Sequence, residues 1–263
     1  MMTTRKWNTK NKTIAELTAL AGKSDDLAVL HAIASDPAAD VRVRRALASN
    51  VNTDSDLLTL LASDNDQRVL ERVARNERTP LRAMARLARD GDDRVARNVA
   101  YNKAASAYVL SKLARSDNAA VRAGVAWNYN TASTTLEGLA DDADGVVQMK
   151  LAGNASASIS ALCAVALKGG FDARYRLASN WDTDVAVLEV LVRDDDPIVR
   201  EKLVWNNNLL DPARMKLAAD DSEAVRLASA RNWDTPPAAL KRLKDDRSTA
   251  VRAVAVRNPS CSA

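Results

Sequence analysis

The chain has 263 residues, of which 47% are hydrophobic and 27% charged, a composition that belongs to a folded globular protein and excludes disordered and fibrous classes. With 38 basic and 34 acidic residues it carries a formal charge of +4, and its two cysteines and one histidine, Cys163, Cys261 and His31, are too few for a disulfide framework, a four-thiolate cluster or a multi-histidine centre. No metal, no cofactor and a reducing compartment are therefore expected. Only 8 glycines, 7 prolines and one phenylalanine occur, so helix is favoured over an aromatic-rich β core.

The amino-terminal stretch, MMTTRKWNTKNKTIAEL, has basic residues but no apolar run behind them, and no segment approaches the roughly 20 apolar residues of a membrane span. A cytoplasmic protein with no membrane contact is expected. Residues 1–40 form an amino-terminal capping segment with a degenerate repeat: Leu30, Ile33, Ala34 and Asp36 keep its pattern, but Gly22, Lys23 and Ser24 stand where its asparagine would fall. Residues 41–263 then repeat. Asn50, Asn76, Asn102, Asn128, Asn154, Asn180, Asn206, Asn232 and Asn258 are nine asparagines 26 residues apart without a slip. Seven before each stands Val43, Val69, Val95, Val121, Val147, Ala173, Val199, Val225 or Val251. Eleven after all but the last stands Leu61, Leu87, Leu113, Leu139, Val165, Leu191, Leu217 or Leu243.

Within a period the apolar spacing is helical: Val95 and Val99 lie four apart, and Val109, Leu110 and Leu113 mark a second short stripe. Each unit is read as two short helices, and Thr79-Pro80, Thr235-Pro236 and Asp211-Pro212 as N-caps before a first-turn proline. Helices of about two turns are unstable alone, so successive units must bury each other's apolar faces. The last unit stops at Arg257-Asn258-Pro259, leaving a half-repeat as the carboxy-terminal cap of one continuous domain.

Recurrent polar residues receive structural readings. Asp194, Asp220 and Asp246 precede Arg200, Arg226 and Arg252 by six residues, as helix caps whose arginine neighbours bridge adjacent units. The asparagines are assigned to left-handed helix ends and to satisfying buried loop backbone. Thr53, Thr79, Thr131, Thr183 and Thr235 are read as helix caps, His31 as exposed or structural without a partner, and Cys163 as a small buried hydrophobe.

The repeated string, clearest from Thr235 to Asp246 and from Val251 to Asn258, resembles the leucine-rich repeat variant family, itself related in pattern to HEAT repeats. The resemblance covers residues 41–258 and implies an all-α, right-handed solenoid in which α-helices alternate with second short helices, sometimes of 3₁₀ type. Family members with an iron–sulfur cluster carry cysteines ahead of the repeats; here the first cysteine is Cys163, and the cluster is not carried over.

No catalytic constellation is found, so a binding protein is favoured over an enzyme. On the first helix of each unit, with the valine seven before the asparagine at zero, positions five and one before it lie near 200° and 240°, away from the core. There the chain places Arg75, Arg97, Tyr101, Trp127, Tyr175, Trp205 and Arg231, the candidate partner-binding residues. Tyr129, Trp181 and Trp233 follow their asparagines directly, and the two tryptophans are read as packed between units. A second patch, Arg82, Arg86, Arg89, Lys112 and Arg115, is the candidate nucleic-acid surface. Residues 1–131 hold 21 basic and 15 acidic residues, net +6, and residues 132–263 hold 17 and 19, net −2. The favoured function is a monomeric, non-enzymatic scaffold whose concave helical surface engages an extended protein or peptide. The alternative is a nucleic-acid-binding solenoid of HEAT-like DNA-binding or DNA-repair type that uses the basic amino-terminal half.

Overall fold

A computed structural model describes residue 9 and residues 11–261; the side chain of Cys261 and the start of the amino-terminal segment lie outside the described residues. The chain forms two compact units, residues 1–132 and 133–263. All secondary structure among the described residues is helical: an all-α solenoid.

The first unit contains α1 (Ile14–Lys23), α2 (Leu27–Ala34), α3 (Val41–Ser49), α4 (Ser55–Leu61), α5 (Gln67–Arg75), α6 (Leu81–Asp90), α7 (Asp93–Tyr101), α8 (Ala107–Leu113) and α9 (Ala119–Trp127). Helices α1, α3, α5, α7 and α9 pack each against the next, and α4, α6 and α8 do the same, so two layers run side by side. The second unit contains α10 (Ser133–Leu139), α11 (Gly145–Leu151), α12 (Ile159–Lys168), α13 (Phe171–Ser179), α14 (Val185–Leu191), α15 (Pro197–Leu203), α16 (Asp211–Leu217), α17 (Glu223–Arg231), α18 (Pro237–Leu243) and α19 (Thr249–Ala255). Here α11, α13, α15, α17 and α19 form the first layer. Both helices of each repeat are α; the 3₁₀ turn among the described residues is Pro259–Cys261.

The apolar columns legible in the sequence fill the interface between the layers. All nine residues seven before an asparagine are buried, as are all eight eleven after one. With helices this short, such lateral burial supplies what nucleation alone cannot.

The asparagine column is a ladder of side-chain amides. Asn102 Nδ2 donates to the Ala74 carbonyl at 2.8 Å and the Asn76 carbonyl at 3.0 Å, both in the preceding repeat, while its Oδ1 accepts the Ala104 N–H at 2.8 Å. Asn50, Asn76 and Asn128 repeat the donations in the first unit, and Asn206 and Asn258 in the second. The left-handed role expected for these residues is not found: Asn50, Asn76, Asn102, Asn128, Asn180 and Asn232 end their helices in extended geometry, as Asn102 does at φ −75° and ψ 124°, and no described residue has positive φ. Extended backbone turns the amide toward the preceding repeat, which a left-handed cap would not.

The threonines also act differently from the expectation. Each hydroxyl donates backward to the carbonyl six residues earlier, Thr79 to Val73 at 2.6 Å and Thr235 to Ser229 at 2.6 Å, closing the end of the first helix. The N-caps of α6 and α18 are Pro80 and Pro236, and Asp211 opens α16 after Leu210. Where a side chain does cap the second helix it comes one residue later, as with Asp54, Ser106, Ser158 and Asp184.

A second ladder joins repeats through charge. Arg44, Arg174, Arg200 and Arg226 each grip an aspartate twenty residues on with two N–H groups, Arg226 reaching Asp246 at 2.8 and 3.2 Å. The acids also serve their own loop: Asp220 Oδ1 accepts the N–H of Ser222, the N-cap residue of α17, at 2.8 Å. Asp194, Asp220 and Asp246 thus brace the residue before each helix and are not caps themselves. At Leu70, Ala96 and Gln148 the arginine is missing; after Leu70 and Gln148 the second helix runs to ten residues, α6 and α12, ending at Gly91 or Gly169, while after Ala96 α8 keeps seven. A Cβ on Gly91 would lie 2.5 Å from the Leu87 carbonyl oxygen and 2.6 Å from Val95 Cγ1, so no larger residue fits this ending without a shift.

Two outcomes follow from the ladders. Asn102→Ala removes both donations and one acceptance from a buried site and should cost about 2–3 kcal/mol in denaturant unfolding, with Asn102→Asp worse because a carboxylate would face two carbonyl oxygens. Burial pushes the Asp220 and Asp246 carboxyls up, but hydrogen bonds from Arg200 and Arg226, the loop N–H groups and nearby arginine charge outweigh it, leaving both below the usual carboxylate range. Their contribution is therefore complete above the ordinary carboxylate range and lost as pH falls through the lowered folded values. Arg226→Ala should cost about 3 kcal/mol or more at neutral pH, and much of that difference from the native protein should vanish in acid unfolding curves taken below that window.

Candidate functional site

Because first helices stack side by side, the position five before each asparagine is largely covered by a neighbouring helix. Ala123 is buried, and Arg45, Glu71, Met149, Glu201 and Leu227 are half-buried, so this column is less open than its helical angle suggests; Arg97 and Tyr175 are its exposed exceptions among the candidates. The position one before the asparagine is the open one. Ser49, Arg75, Trp205, Arg231 and Arg257 are exposed there.

In the first unit, Arg75 on α5, Arg97 and Tyr101 on α7 and Trp127 on α9 come together on one face of the stacked first helices. Tyr101 and Trp127 are half-buried because their rings cover each other, with centroids 5.4 Å apart and planes at 45°, and Trp127 meets Tyr129 at 6.0 Å. Gly124 makes this possible: a Cβ there would sit 2.8 Å from Ala100 Cβ and 2.9 Å from the Tyr101 ring. Arg97 lies one turn before Tyr101 on α7; burial pushes the Tyr101 phenol up, and the positive charge of Arg97 opposes it. Arg72 and Arg78, which the two-column reading leaves out, border an open cleft with Arg75. Arg72 lies on the helix flank, and Arg78 two residues past the asparagine.

In the second unit, Tyr175 on α13, Trp205 in the turn after α15 and Arg231 at the end of α17 occupy the corresponding face of three successive first helices. Phe171 lies 5.7 Å from Tyr175, and Lys202 Nζ stands 5.9 Å from the Tyr175 ring centroid. Trp181 and Trp233 are not packed between repeats: they are 69% and 73% exposed, against 45% for Trp205. Asn208 and Ser260 bind the Trp181 and Trp233 carbonyls, so the next repeat holds their backbone and leaves the indoles outside.

The second-layer patch lies elsewhere. Arg82, Arg86 and Arg89 on α6, Lys112 on α8 and Arg115 just beyond it are all exposed. Arg89 binds Asp90 at 2.7 and 3.0 Å, Arg86 binds the Ser63 hydroxyl and lies 3.9 Å from Asp90, and Lys112 lies over Tyr108. One carboxylate therefore answers two of these cations.

Cys163 and His31 lie on α12 and α2. Burial, followed by the charge of Asp184, pushes the half-buried Cys163 thiol up and keeps it protonated at neutral pH. His31 does have a partner, contrary to expectation: its Nε2 lies 2.7 Å from Asp54, the carboxylate that caps α4. Among the described residues no three histidine, cysteine, aspartate or glutamate side chains gather as a metal site, and no helix is long and apolar enough to cross a membrane.

Among solved structures, the chain is similar to a leucine-rich repeat variant with a novel repetitive structural motif, at 22% identity and a TM-score of 0.61 over 85% of this chain and 87% of that one. Computationally designed armadillo repeat proteins for modular peptide recognition align at 15% identity and a TM-score of 0.20 over 93% of this chain and 97% of theirs. The first of these carries the fold assignment. No protein-family model matches the chain, and no curated protein is similar to it.

The ring geometry separates the tryptophans experimentally. Trp233→Ala should change stability by less than about 0.5 kcal/mol, as exposed residues do, while Trp127→Ala should cost about 1–3 kcal/mol through lost ring contacts and burial. In acrylamide quenching, replacing Trp181 and Trp233 with phenylalanine should remove far more of the accessible fluorescence than replacing Trp127.

Proposed function

We propose that the chain is a non-enzymatic binding scaffold whose first-helix layer engages an extended protein or peptide. The observation that carries this reading is the exposed aromatic series Tyr175, Trp181, Trp205 and Trp233, each more than a third exposed on or beside the first helices of successive repeats in one unit. Exposed indoles give a ligand large apolar contact at little entropic cost, and a repeated layer offers them at intervals that suit an extended segment rather than a small molecule. Arg231 adds hydrogen-bond donors to this face, and in the first unit Arg75 and Arg97 do the same for the face that holds Tyr101 and Trp127. Its cysteine-poor composition supports a reducing, cytoplasmic setting, and a monomer suffices for binding of this kind.

The second-layer patch favours nucleic acid, since Arg82, Lys112 and Arg115 are exposed and make no ion pair with a described residue. A random-peptide phage selection on the immobilised protein decides between the readings. Peptides should be enriched whose binding falls by about 2 kcal/mol or more, roughly thirtyfold, in Trp205→Ala and is unchanged by Arg86→Glu with Lys112→Glu. Nuclease-sensitive absorbance at 260 nm in the purified protein, with binding that weakens steeply with salt and depends on Arg86 and Lys112, would overturn the peptide reading.

A further inference from the structure

Several arginines of this fold are held by its own acids: Arg44, Arg45, Arg89, Arg174, Arg200 and Arg226 all bind aspartates. Arg72, Arg75 and Arg78 are held differently. Arg72 Nη1 donates to the Ser49 hydroxyl at 2.6 Å, Arg75 Nε to Asn98 Oδ1 at 3.1 Å, and Arg78 Nη1 to the Val51 carbonyl at 3.3 Å. All three partners are neutral, and no carboxylate of the described residues lies within ion-pair distance of any of these guanidiniums. Each arginine is anchored through one N–H and keeps its full charge and its other donors. The three border one open cleft with Ser49, Val51 and the exposed Glu77, in which three cations face a single acid. One repeat on, Arg97 also makes no ion pair with a described residue and lies one turn before Tyr101 on α7, whose ring meets Trp127.

We infer that this face of the first unit is a docking site for an acidic extended peptide, its carboxylates taken by Arg72, Arg75 and Arg78 and an apolar side chain by Tyr101 and Trp127. The inference rests on the scaffold reading above and gives its partner a charge. Anchored guanidiniums suit carboxylates because the fork of donors is fixed before binding, so little side-chain entropy is lost. Two of the arginines end α5, where their charge outweighs the negative end of the helix dipole. A nucleic-acid strand fits less well: Tyr101, Trp127 and Tyr129 meet one another at 5.4 and 6.0 Å with planes tilted by 45° and 49°, which leaves a joint patch and no gap for a base to enter between rings.

The test is a selection of random peptides of about 12 residues on the full chain, followed by anisotropy titrations of the enriched peptides and of an oligo-dT strand. Titrations are repeated with Arg72→Gln, Arg75→Gln and Arg78→Gln combined, and with Arg86→Gln and Lys112→Gln combined as the second-layer control, with folding of each checked by circular dichroism. The inference expects a class of peptides rich in Asp and Glu, whose affinity falls tenfold or more in the triple variant and in Trp127→Ala, is unchanged in the control, and weakens with salt. Peptides that need Trp127 or Trp205 but show no acidic enrichment and ignore the triple variant would overturn the inference and leave the scaffold reading standing. If no peptide depends on either set, both fail. Tighter binding of oligo-dT than of any selected peptide, lost in the triple variant, would overturn it in favour of nucleic acid.

Discussion

A helix of seven to nine residues leaves nearly as many backbone groups unpaired at its ends as it pairs within, and stacking such helices buries those ends. The asparagine amide answers this constraint, and the rest of the architecture depends on it. One side chain donates to two carbonyls of the preceding repeat and accepts one N–H of its own turn, as Asn102 does with Ala74, Asn76 and Ala104. The threonine hydroxyl takes a further carbonyl of the same helix end, as Thr79 does with Val73. With those groups satisfied, the turn can be buried on one side and still present its next residue, Tyr129, Trp181 or Trp233, to the outside.

The arginine–aspartate ladder is a second, discontinuous tie on the far side of the first helices. Gln148 shows how a break is handled. Its Nε2 donates to the Asp142 carbonyl and its Oε1 accepts the Gly170 N–H, so a neutral amide spans the loops that an arginine and an aspartate join elsewhere. The longer helix that follows, α12, then takes over residues that in other repeats form a turn. A missing arginine and a lengthened helix also coincide at Leu70 and α6, but not at Ala96, whose second helix α8 keeps seven residues. Part of the charge in this fold is thus structural, and the arginines at the α5 cleft differ from that part in holding neutral partners.

The fold was open to reading from the sequence because its cause is periodic. Residues buried for the same reason in each repeat recur every 26 positions, so Val43 to Val251 and Leu61 to Leu243 could be assigned to the core without any coordinates. Direction was harder to read than identity. A threonine before a proline has the composition of an N-cap, and only geometry shows Thr79 and Thr235 turning back to close the previous helix. The asparagine carried two physical options, and the extended backbone selects the amide. Gly91 and Gly169, three periods apart, were a signal of the two longer helices in plain view; loss of the column arginine was not, since Ala96 shares it without a longer helix. The candidate surface was legible in part: the helical angle located Arg75, Arg97, Tyr175 and Trp205, but lateral stacking, which no single-helix angle includes, decides that Ala123 is buried and that Arg72 borders the cleft. Trp181 and Trp233 were misjudged because an indole beside a turn has two places to go, and the bond that holds the turn's carbonyl in the next repeat is invisible in the residue itself.

The asparagine ladder has a direction. The amides of Asn50, Asn76, Asn102, Asn128, Asn206, Asn232 and Asn258 reach back toward the amino end, so such a repeat arrives with its own donors and needs only carbonyls already in place. Helix α1 illustrates the receiving role: Ala21 and Ser24 offer their carbonyls to Asn50 although the segment has no asparagine of its own at that register. A chain made from its amino end therefore always presents finished acceptors to the repeat that follows, and within a unit ordering can advance as a zipper whose growing end is the one leaving the ribosome. Disassembly has the opposite sense, since the repeat furthest along gives up its own amide bonds without uncovering a donor in any repeat behind it.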